Sequence, residues 1–322
     1  MARPRIYVSR RIPEAVCKRL GDDFEVSYHD SEAPPARDVL LTSVAGVDGC
    51  IVTLSDTVDD EFFDAAGTQL QVVANYAVGY DNIDVVAATR RGVVATNTPD
   101  VLTRATAEFA IALMLSLLRR VREGDRLLRR REEWTWAPTM MLGTPHDRLL
   151  GIVGFGRIGQ EVARLASGLG MRVIFSDAID RPAARFEQAE FTELLARSDI
   201  VSLHCPLVVE TYHLLGREEF ATMNDHAYLV NTARGPIVDE VALYRALVDG
   251  AIAGAALDVF EQEPKVTEGL LELENVVLTP HLASATQEAR EAMGLLCVSA
   301  LRAVLLEQRH PANALHGLGP AS

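Results

Sequence analysis

The chain has 322 residues, more than a typical single domain, so two domains are expected. Hydrophobic residues make up 48% and charged residues 24%, which are the proportions of a globular protein with substantial cores. The formal net charge of −14 excludes nucleic acid and anionic membrane surfaces as the main expected partners.

Short apolar segments rich in β-branched residues alternate with helical segments along the first hundred residues. The strand candidates are residues 6–8, 25–27, 50–53, 71–74 and 93–96, with helical stretches at 13–20 and 84–91 between them. Strands that alternate with helices form parallel sheets covered by helices, so this pattern predicts an α/β fold.

A second series of strands begins at residue 149. Its strand candidates are residues 149–153, 172–176, 200–203, 228–231, 254–258 and 276–279. Six strands with helices between them make a second doubly wound parallel sheet. A long helix at about 101–118 links the two series, and the final helix, about 284–307, returns to the first domain. We therefore predict a discontinuous domain of residues 1–99 and 286–322 and a second domain of residues 100–285.

The sequence favours a cytoplasmic protein with no membrane span. The most apolar helix candidate, residues 105–118, contains Glu108 and Ser116 and is too short to cross a bilayer. The first five residues, Met-Ala-Arg-Pro-Arg, lead directly into the first strand, without a long apolar region. The four cysteines have neither disulfide-scaffold nor zinc-site spacing, so we expect free thiols and no metal.

A glycine-rich turn follows the first strand of the second series and opens a helix. Its residues are Gly154, Phe155, Gly156, Arg157, Ile158 and Gly159. In such a turn the first glycine allows a tight bend, the second lets the backbone approach a pyrophosphate, and the third lets the helix pack on the strand. The start of the helix adds N–H groups and a positive dipole end for the phosphates. This pattern in this context predicts a dinucleotide-binding site.

Asp177 stands at the end of the next strand, where an acidic residue accepts hydrogen bonds from the adenosine ribose hydroxyls. Its carboxylate repels a 2′-phosphate, so NAD(H) is favoured over NADP(H). Arg181 and Arg185 follow closely enough in sequence to leave NADP(H) possible.

Polar segments stand at the ends of three later strands, at residues 231–235, 257–264 and 279–284. Together with the glycine turn, and with residues 75–84 and 97–103, they make the chain resemble the D-isomer-specific 2-hydroxyacid dehydrogenases over nearly its whole length. The similarity is greatest to the glyoxylate/hydroxypyruvate reductase branch. One departure is Leu282-Ala283-Ser284, where Ile-Gly-Ser is commoner, so that a methyl group is added near the expected nicotinamide position.

The resemblance implies a catalytic arginine, glutamate and histidine, which fall on Arg234, Glu263 and His281. Arg234 offers a planar charged fork to the substrate carboxylate and carbonyl oxygen. His281 gives a proton to the carbonyl oxygen as hydride arrives from the nicotinamide. Glu263 orients the imidazole and favours its charged form.

The resemblance also implies a flavodoxin-like substrate domain, a Rossmann NAD-binding domain and the remaining contacts of the site. The substrate carboxylate is expected at the backbone N–H groups of Val78 and Gly79, with Asn75 and Tyr76 lining the same pocket. Further cofactor contacts are expected at His204, Pro206, Thr232, Ala233, Asp258 and Ala283. A homodimer is implied, with the helix at 105–118 and the segment through Trp136 as its surface. Trp136 either reaches the partner subunit's site or packs at the dimer contact.

The expected function is therefore reduction of a small 2-keto acid, glyoxylate or hydroxypyruvate, to the D-2-hydroxy acid with NAD(P)H. The alternatives within the family are another D-2-hydroxyacid dehydrogenase or a phosphite dehydrogenase, which shares the three catalytic residues. The formate enzymes carry glutamine where Glu263 stands, which disfavours that activity. An alternative of another class is an NAD-sensing protein similar to the corepressors built on this fold.

Overall fold

A computed structural model describes residues 2–131, 133–137, 142–182 and 184–315. The chain divides into two compact units: the described residues of Met1–Leu102 with Ala285–Ser322, and those of Thr103–Ser284. Each unit is built on its own parallel sheet, and the predicted fold class of two doubly wound parallel sheets is confirmed. The residues at which the functional domains divide stay a prediction.

The first sheet has five strands and the second has seven. Those of the first unit are β1 (Arg5–Val8), β2 (Glu25–Tyr28), β3 (Gly49–Val52), β4 (Val72–Asn75) and β5 (Val94–Thr96), in the order β2-β1-β3-β4-β5. Those of the second unit are β6 (Leu149–Val153), β7 (Arg172–Ser176), β8 (Glu187–Gln188), β9 (Ile200–Leu203), β10 (Tyr228–Asn231), β11 (Gly254–Leu257) and β12 (Val276–Leu278), in the order β12-β11-β10-β9-β6-β7-β8. These orders are those of the flavodoxin-like and dinucleotide-binding sheets.

Helices connect the strands and cover the sheets. They are α1 (Glu14–Asp23), α2 (Arg37–Ser43), α3 (Asp60–Ala66), α4 (Val85–Arg90), α5 (Thr103–Leu118), α6 (Val121–Arg129), α7 (Arg157–Gly168), α8 (Phe191–Arg197), α9 (Arg217–Thr222), α10 (Glu240–Val248), α11 (Glu268–Glu272) and α12 (Gln287–Leu305). In the described part of the chain, no helix combines the length and apolarity needed to cross a membrane.

Strands β6, β9 and β11 of the second sheet are buried along their whole length, which explains their continuous apolar sequences. In β6, Leu149 and Val153 point into one hydrophobic cluster, whereas Leu150 and Ile152 point into the other. Each predicted strand overlaps an observed one. The sequence pattern does not predict β8, because two residues that pair beside β7 are too few to show a period.

Candidate active site

Strands β6, β9, β10, β11 and β12 end in register at one edge of the second sheet. Paired positions link Val153 to Leu203, Leu203 to Asn231, Asn231 to Leu257, and Leu257 to Leu278. Because all these strands are parallel, the loops that follow them emerge side by side at the carboxyl edge, where ligands of such sheets bind. These are the loops that carry most of the site residues predicted in this unit.

Two glycines of the glycine-rich motif, Gly154 in the first loop and Gly159 in α7, stand where no other residue fits. Gly154 has φ +90°, and a Cβ there would lie 2.4 Å from the Cys205 backbone nitrogen. A Cβ on Gly159 would lie 2.2 Å from the Gly154 carbonyl oxygen. The turn therefore depends on close packing between the loops after β6 and β9 and between α7 and its own strand.

The middle glycine has a different environment. A Cβ on Gly156 would meet no atom within 4 Å, and glycine has no side chain with which to cap α7. The first turn of α7 thus presents backbone N–H groups toward open space, an arrangement suited to phosphate. At the end of β10, two strands along the sheet from β6, the buried hydroxyl of Thr232 has no hydrogen-bond partner among the described residues. Both features fit a bound nicotinamide dinucleotide.

Asp177 holds the glycine loop. Its Oδ2 accepts the Phe155 N–H at 2.7 Å and the Arg181 Nε–H at 3.3 Å, and its Oδ1 accepts the Ile179 N–H at 2.9 Å. The side chain is only 11% exposed. An ionised carboxylate has about four acceptor positions, so one remains for a ribose hydroxyl.

The charge of Asp177 does not act alone, because Arg181 is paired with it. Arg181 and Arg185 also line an open cavity of about 450 Å³ beside Phe155 and Gln160. The repulsion of a 2′-phosphate that the sequence predicts for Asp177 is therefore opposed by a cation in direct contact with it.

The other predicted cofactor residues lie along the same edge. His204 is a neutral imidazole, since burial lowers its pKa to about 4, and one ring nitrogen lies 2.8 Å from Ser202 Oγ. Pro206 is exposed and Ala233 is half-buried, whereas Ala283 is buried. Among the described residues, no cluster of histidine, cysteine and carboxylate side chains could hold a metal ion.

The loops after β11 and β12 bring Glu263 and His281 together. His281 Nδ1 lies 2.9 Å from Glu263 Oε2, and Glu263 Oε1 accepts the Phe260 N–H at 3.1 Å. The His281 Nε2 atom has no partner among the described residues. One ring nitrogen is thus held by a carboxylate while the other is available to a ligand.

Electrostatics keep this glutamate ionised. Partial burial raises the pKa of Glu263, but the hydrogen bond and charge of His281, the Phe260 N–H and the charge of Arg234 together outweigh burial and lower it. The charge of Arg234 contributes to this lowering, and the turn beside Arg234 packs against the loop of Glu263. A permanent cation, a carboxylate and a titratable imidazole are the groups needed to bind an acid and move a proton.

The turn that presents Arg234 is fixed by its neighbours. Asn231 Nδ2 donates to the Arg234 carbonyl at 2.9 Å, and Asn231 Oδ1 accepts the Ala233 N–H at 3.0 Å. A Cβ on Gly235 would lie 1.9 Å from the Phe260 carbonyl carbon, so this turn packs directly against the loop of Glu263. The sequence reasoning missed Asn231. Its signal was an asparagine directly before an Arg-Gly turn, where such side chains bond their own backbone two residues on.

Asp258, predicted to contact the cofactor, has its carboxylate turned to the histidine loop. It is fully buried and accepts the Thr279 hydroxyl at 2.6 Å and the N–H groups of Leu282 and Ala283 at 2.8 Å. Burial raises the pKa of Asp258, and these hydrogen bonds oppose the rise. His281 adopts φ +55° within this loop and donates its own N–H to the Asp258 carbonyl at 2.8 Å.

The predicted substrate loop of the first unit follows β4. Asn75 is buried, and its Nδ2 donates to the Gly79 carbonyl at 2.8 Å; the Tyr76 hydroxyl is buried and donates to the Arg290 carbonyl. Asn97 Nδ2 donates to the Val78 carbonyl at 2.7 Å. The N–H groups of Val78 and Gly79 have no acceptor among the described residues. Asn75 and Tyr76 therefore hold the loop, whose backbone N–H groups are left for a ligand.

Comparison with known proteins assigns this arrangement to a family. Residues 111–283 match the family profile of the "D-isomer specific 2-hydroxyacid dehydrogenase, NAD binding domain". The glyoxylate reductase of Korarchaeum cryptofilum is 50% identical over 299 residues, 90% of each chain.

Solved structures give the same result. A glyoxylate reductase from Paecilomyes thermophila superposes with a TM-score of 0.87 at 32% identity, over 98% of this chain and 99% of that one. An NADPH-dependent glyoxylate/hydroxypyruvate reductase from Sinorhizobium meliloti, in complex with NADP and malonate, superposes with a TM-score of 0.85 at 33% identity, over 98% of this chain and 97% of that one.

Proposed function

The chain belongs to the family of D-isomer-specific 2-hydroxyacid dehydrogenases, and we propose that it reduces glyoxylate or hydroxypyruvate to the D-2-hydroxy acid. It is an NAD(P)-dependent oxidoreductase. The observation that carries the substrate class is the shared environment of Arg234, Glu263 and His281 at the carboxyl edge of the second sheet.

His281 is the proton donor in this proposal. Glu263 Oε2 lies 2.9 Å from Nδ1, which fixes the orientation of the ring, and Nε2 delivers the proton to the carbonyl oxygen of the keto acid. The reduced nicotinamide, when bound, supplies the hydride to the carbonyl carbon. On return, His281 accepts the hydroxyl proton of the 2-hydroxy acid, so the same residue serves both directions.

Arg234 binds the acid. Its guanidinium is always charged and offers two parallel N–H donors, which match a carboxylate or a carboxylate with its adjacent carbonyl oxygen. In the first unit, the N–H groups of Val78 and Gly79 have no acceptor among the described residues, and we propose that they also bind a carboxylate. A charged donor for the carboxylate favours short 2-keto acids over neutral aldehydes.

We propose that the enzyme accepts both NADH and NADPH. Asp177 retains one acceptor position for a ribose hydroxyl, which suits NADH. Arg181, paired with Asp177, supplies the positive charge that a 2′-phosphate requires. NADH and NADPH share the rest of the dinucleotide. We propose that this shared part binds at Gly156, at the start of α7 and at the Thr232 hydroxyl.

A spectrophotometric assay at 340 nm tests the function. Glyoxylate, hydroxypyruvate, pyruvate and phosphohydroxypyruvate are each offered with NADH and with NADPH, and phosphite is offered with NAD⁺. We expect the highest kcat/KM with glyoxylate or hydroxypyruvate. Reduction of NAD⁺ by phosphite alone would replace the proposal with the phosphite activity. Binding of NADH without turnover of any substrate would favour the NAD-sensing alternative.

We also propose a homodimer in the cytoplasm. The segment after α6 exposes Trp134 at 67% and Trp136 at 80%, and α6 itself exposes Val121 and Leu128, so this surface suits a second copy. Helix α5 has less to offer a partner than the sequence predicts, because seven of its side chains are buried within its own unit. The four cysteines are free thiols, which suits a reducing compartment.

A further inference from the structure

A pair of carboxylates, one buried and one half-buried, lies beside the loop that carries Glu263. Glu240, the first residue of α10, is only 3% exposed. Its Oε1 accepts the Glu261 N–H at 2.6 Å, and its Oε2 accepts the Thr267 hydroxyl at 2.6 Å and the Thr267 N–H at 3.3 Å. One carboxylate thus binds the segment 261–267 on both sides of Glu263.

Glu261 completes the network from the opposite direction. Its Oε2 accepts the Glu240 N–H at 3.3 Å, and its Oε1 lies 2.8 Å from His213 Nε2. The His213 ring is stacked on Tyr212, with 4.1 Å between ring centroids. Moving two carboxylates out of water into this position carries a desolvation penalty. The basic His213 ring, which contacts Glu261, offsets part of that penalty.

The network acts on the segment between two fixed points of the Glu263 loop. At the start of the Glu263 loop, the Gly235 turn packs closely against the Phe260 backbone and fixes its position. At the other end, Glu240 fixes Thr267. Glu263 lies two residues beyond Glu261, so a shift of the Glu261 backbone moves the carboxylate that meets His281.

We propose that Glu240, with Glu261 and His213, is a positioning device that sets Glu263 against His281. The inference rests on the proposed function, since it assigns Glu240 to the geometry of the same proton donor. The hydrogen bonds of the Glu240 side chain within the described residues go to Glu261 and Thr267 and not to Glu263 or His281, so it is a positioning residue. Asp258 and Arg234, the other charged groups near this pair, are not part of the network.

The test is Glu240→Gln. The amide keeps the shape but replaces one acceptor with an NH₂ group, which then faces a donor on Glu261 or Thr267. We expect kcat for glyoxylate to fall about tenfold or more, with the Kd for NADH unchanged. The alkaline limb of the kcat/KM profile should move to lower pH, because a displaced Glu263 stabilises the charged imidazole less. Glu268→Gln, an exposed glutamate at the start of α11, is the matched control.

A second readout does not depend on turnover. The ring ¹⁵N titration of His281, assigned by its loss in His281→Ala, should have a lower midpoint in Glu240→Gln and an unchanged one in Glu268→Gln. If the wild type reduces no keto acid, the function proposal fails while this titration still decides the positioning role. A folded Glu240→Gln with wild-type kcat and midpoint would overturn that role.

A second variant, which keeps the Glu240 carboxylate, tests the inference if Glu240→Gln does not fold. Thr267→Val removes the hydroxyl bond and leaves the Thr267 N–H bond to Glu240 in place. If Glu240→Gln does not fold, we expect Thr267→Val to shift the His281 midpoint in the same direction by a smaller amount. An unshifted midpoint in Thr267→Val would then overturn the inference.

Discussion

His281 Nδ1 lies 2.9 Å from Glu263 Oε2, although the two residues follow different strands of the sheet. Each partner is fixed independently: Asp258 holds the loop of His281, and the Phe260 N–H holds the other oxygen of Glu263. The imidazole is therefore oriented before a substrate arrives, which avoids the cost of ordering it during the reaction.

Replacement of His281 by alanine should remove the proton donor without disturbing the cofactor site. We expect kcat to fall by about 10²- to 10⁴-fold. The Kd for NADH, measured by fluorescence titration, should stay close to the wild-type value. His226→Ala, which alters an exposed histidine, is the control. Full turnover by His281→Ala would exclude it as the general acid.

Glu263→Gln should change the pH dependence of reduction. Glu263 Oε2 lies 2.9 Å from His281 Nδ1, and glutamine removes the negative charge from that position. The alkaline limb of kcat/KM should therefore move to lower pH in the variant. The lowered pKa of Glu263 means that the pair contributes stability above the ordinary glutamate value of 4.5 and loses it as pH falls through the lower folded value. Identical pH profiles for both proteins would contradict this assignment.

Alanine variants of two glycines at opposite ends of α7 distinguish an effect on cofactor binding from an effect on folding. A Cβ on Gly156 or on Gly168 meets no atom within 4 Å, so both alanine variants should fold. Gly156→Ala should raise the KM for NADH about tenfold or more, because the methyl group occupies space proposed for the phosphates. Gly168→Ala should leave KM unchanged and stabilise the helix by roughly 0.5–1 kcal/mol. Equal effects on KM would show that the start of α7 does not bind the cofactor.

Arg181→Ala should separate the two cofactors. Loss of a charged hydrogen-bond partner for the 2′-phosphate should lower kcat/KM for NADPH about tenfold, with a smaller change for NADH. Arg185→Ala is the comparison, because Arg185 lines the same cavity without the ion pair to Asp177. Parallel losses with both cofactors in Arg181→Ala would mean that Arg181 only supports Asp177.

Trp136→Ala should weaken self-association. A tryptophan that is 80% exposed in one chain loses much apolar area when a partner covers it, so its removal should raise the dimer Kd about tenfold or more. Light scattering coupled to size exclusion measures the mass over a dilution series. A wild-type chain that stays monomeric at high concentration would end the dimer proposal.

Much of the fold was predictable because its signals are local. The apolar segments that become β6, β9 and β10 are buried on both faces, and such strands show as continuous hydrophobic runs. The glycine turn was also predictable, because Gly154 and Gly159 stand where backbone geometry and packing exclude a side chain. The two-residue strand β8 carries no such signal.

The candidate site was predictable in its residue types and less so in its contacts. The resemblance pointed to Arg234, Glu263 and His281, and it also assigned cofactor contact to Asp258. A buried aspartate after a strand can face a ligand or a neighbouring loop, and its sequence neighbours do not distinguish the two. The same ambiguity applies to Asn75, whose amide closes its own loop.

The sequence by itself determined two parallel α/β sheets, a dinucleotide turn and the chemistry of a keto-acid reductase, because periodicity, glycine spacing and motif resemblance act over short stretches of chain. Only the tertiary structure decided three contacts: the ion pair of Arg181 with Asp177, the hydrogen bonds of Asp258 to the histidine loop, and the hydrogen bonds of Glu240 to residues 261 and 267. The last two depend on the register of parallel strands, which brings a side chain into hydrogen-bond contact with a backbone N–H 25 residues away and with a hydroxyl 27 residues away.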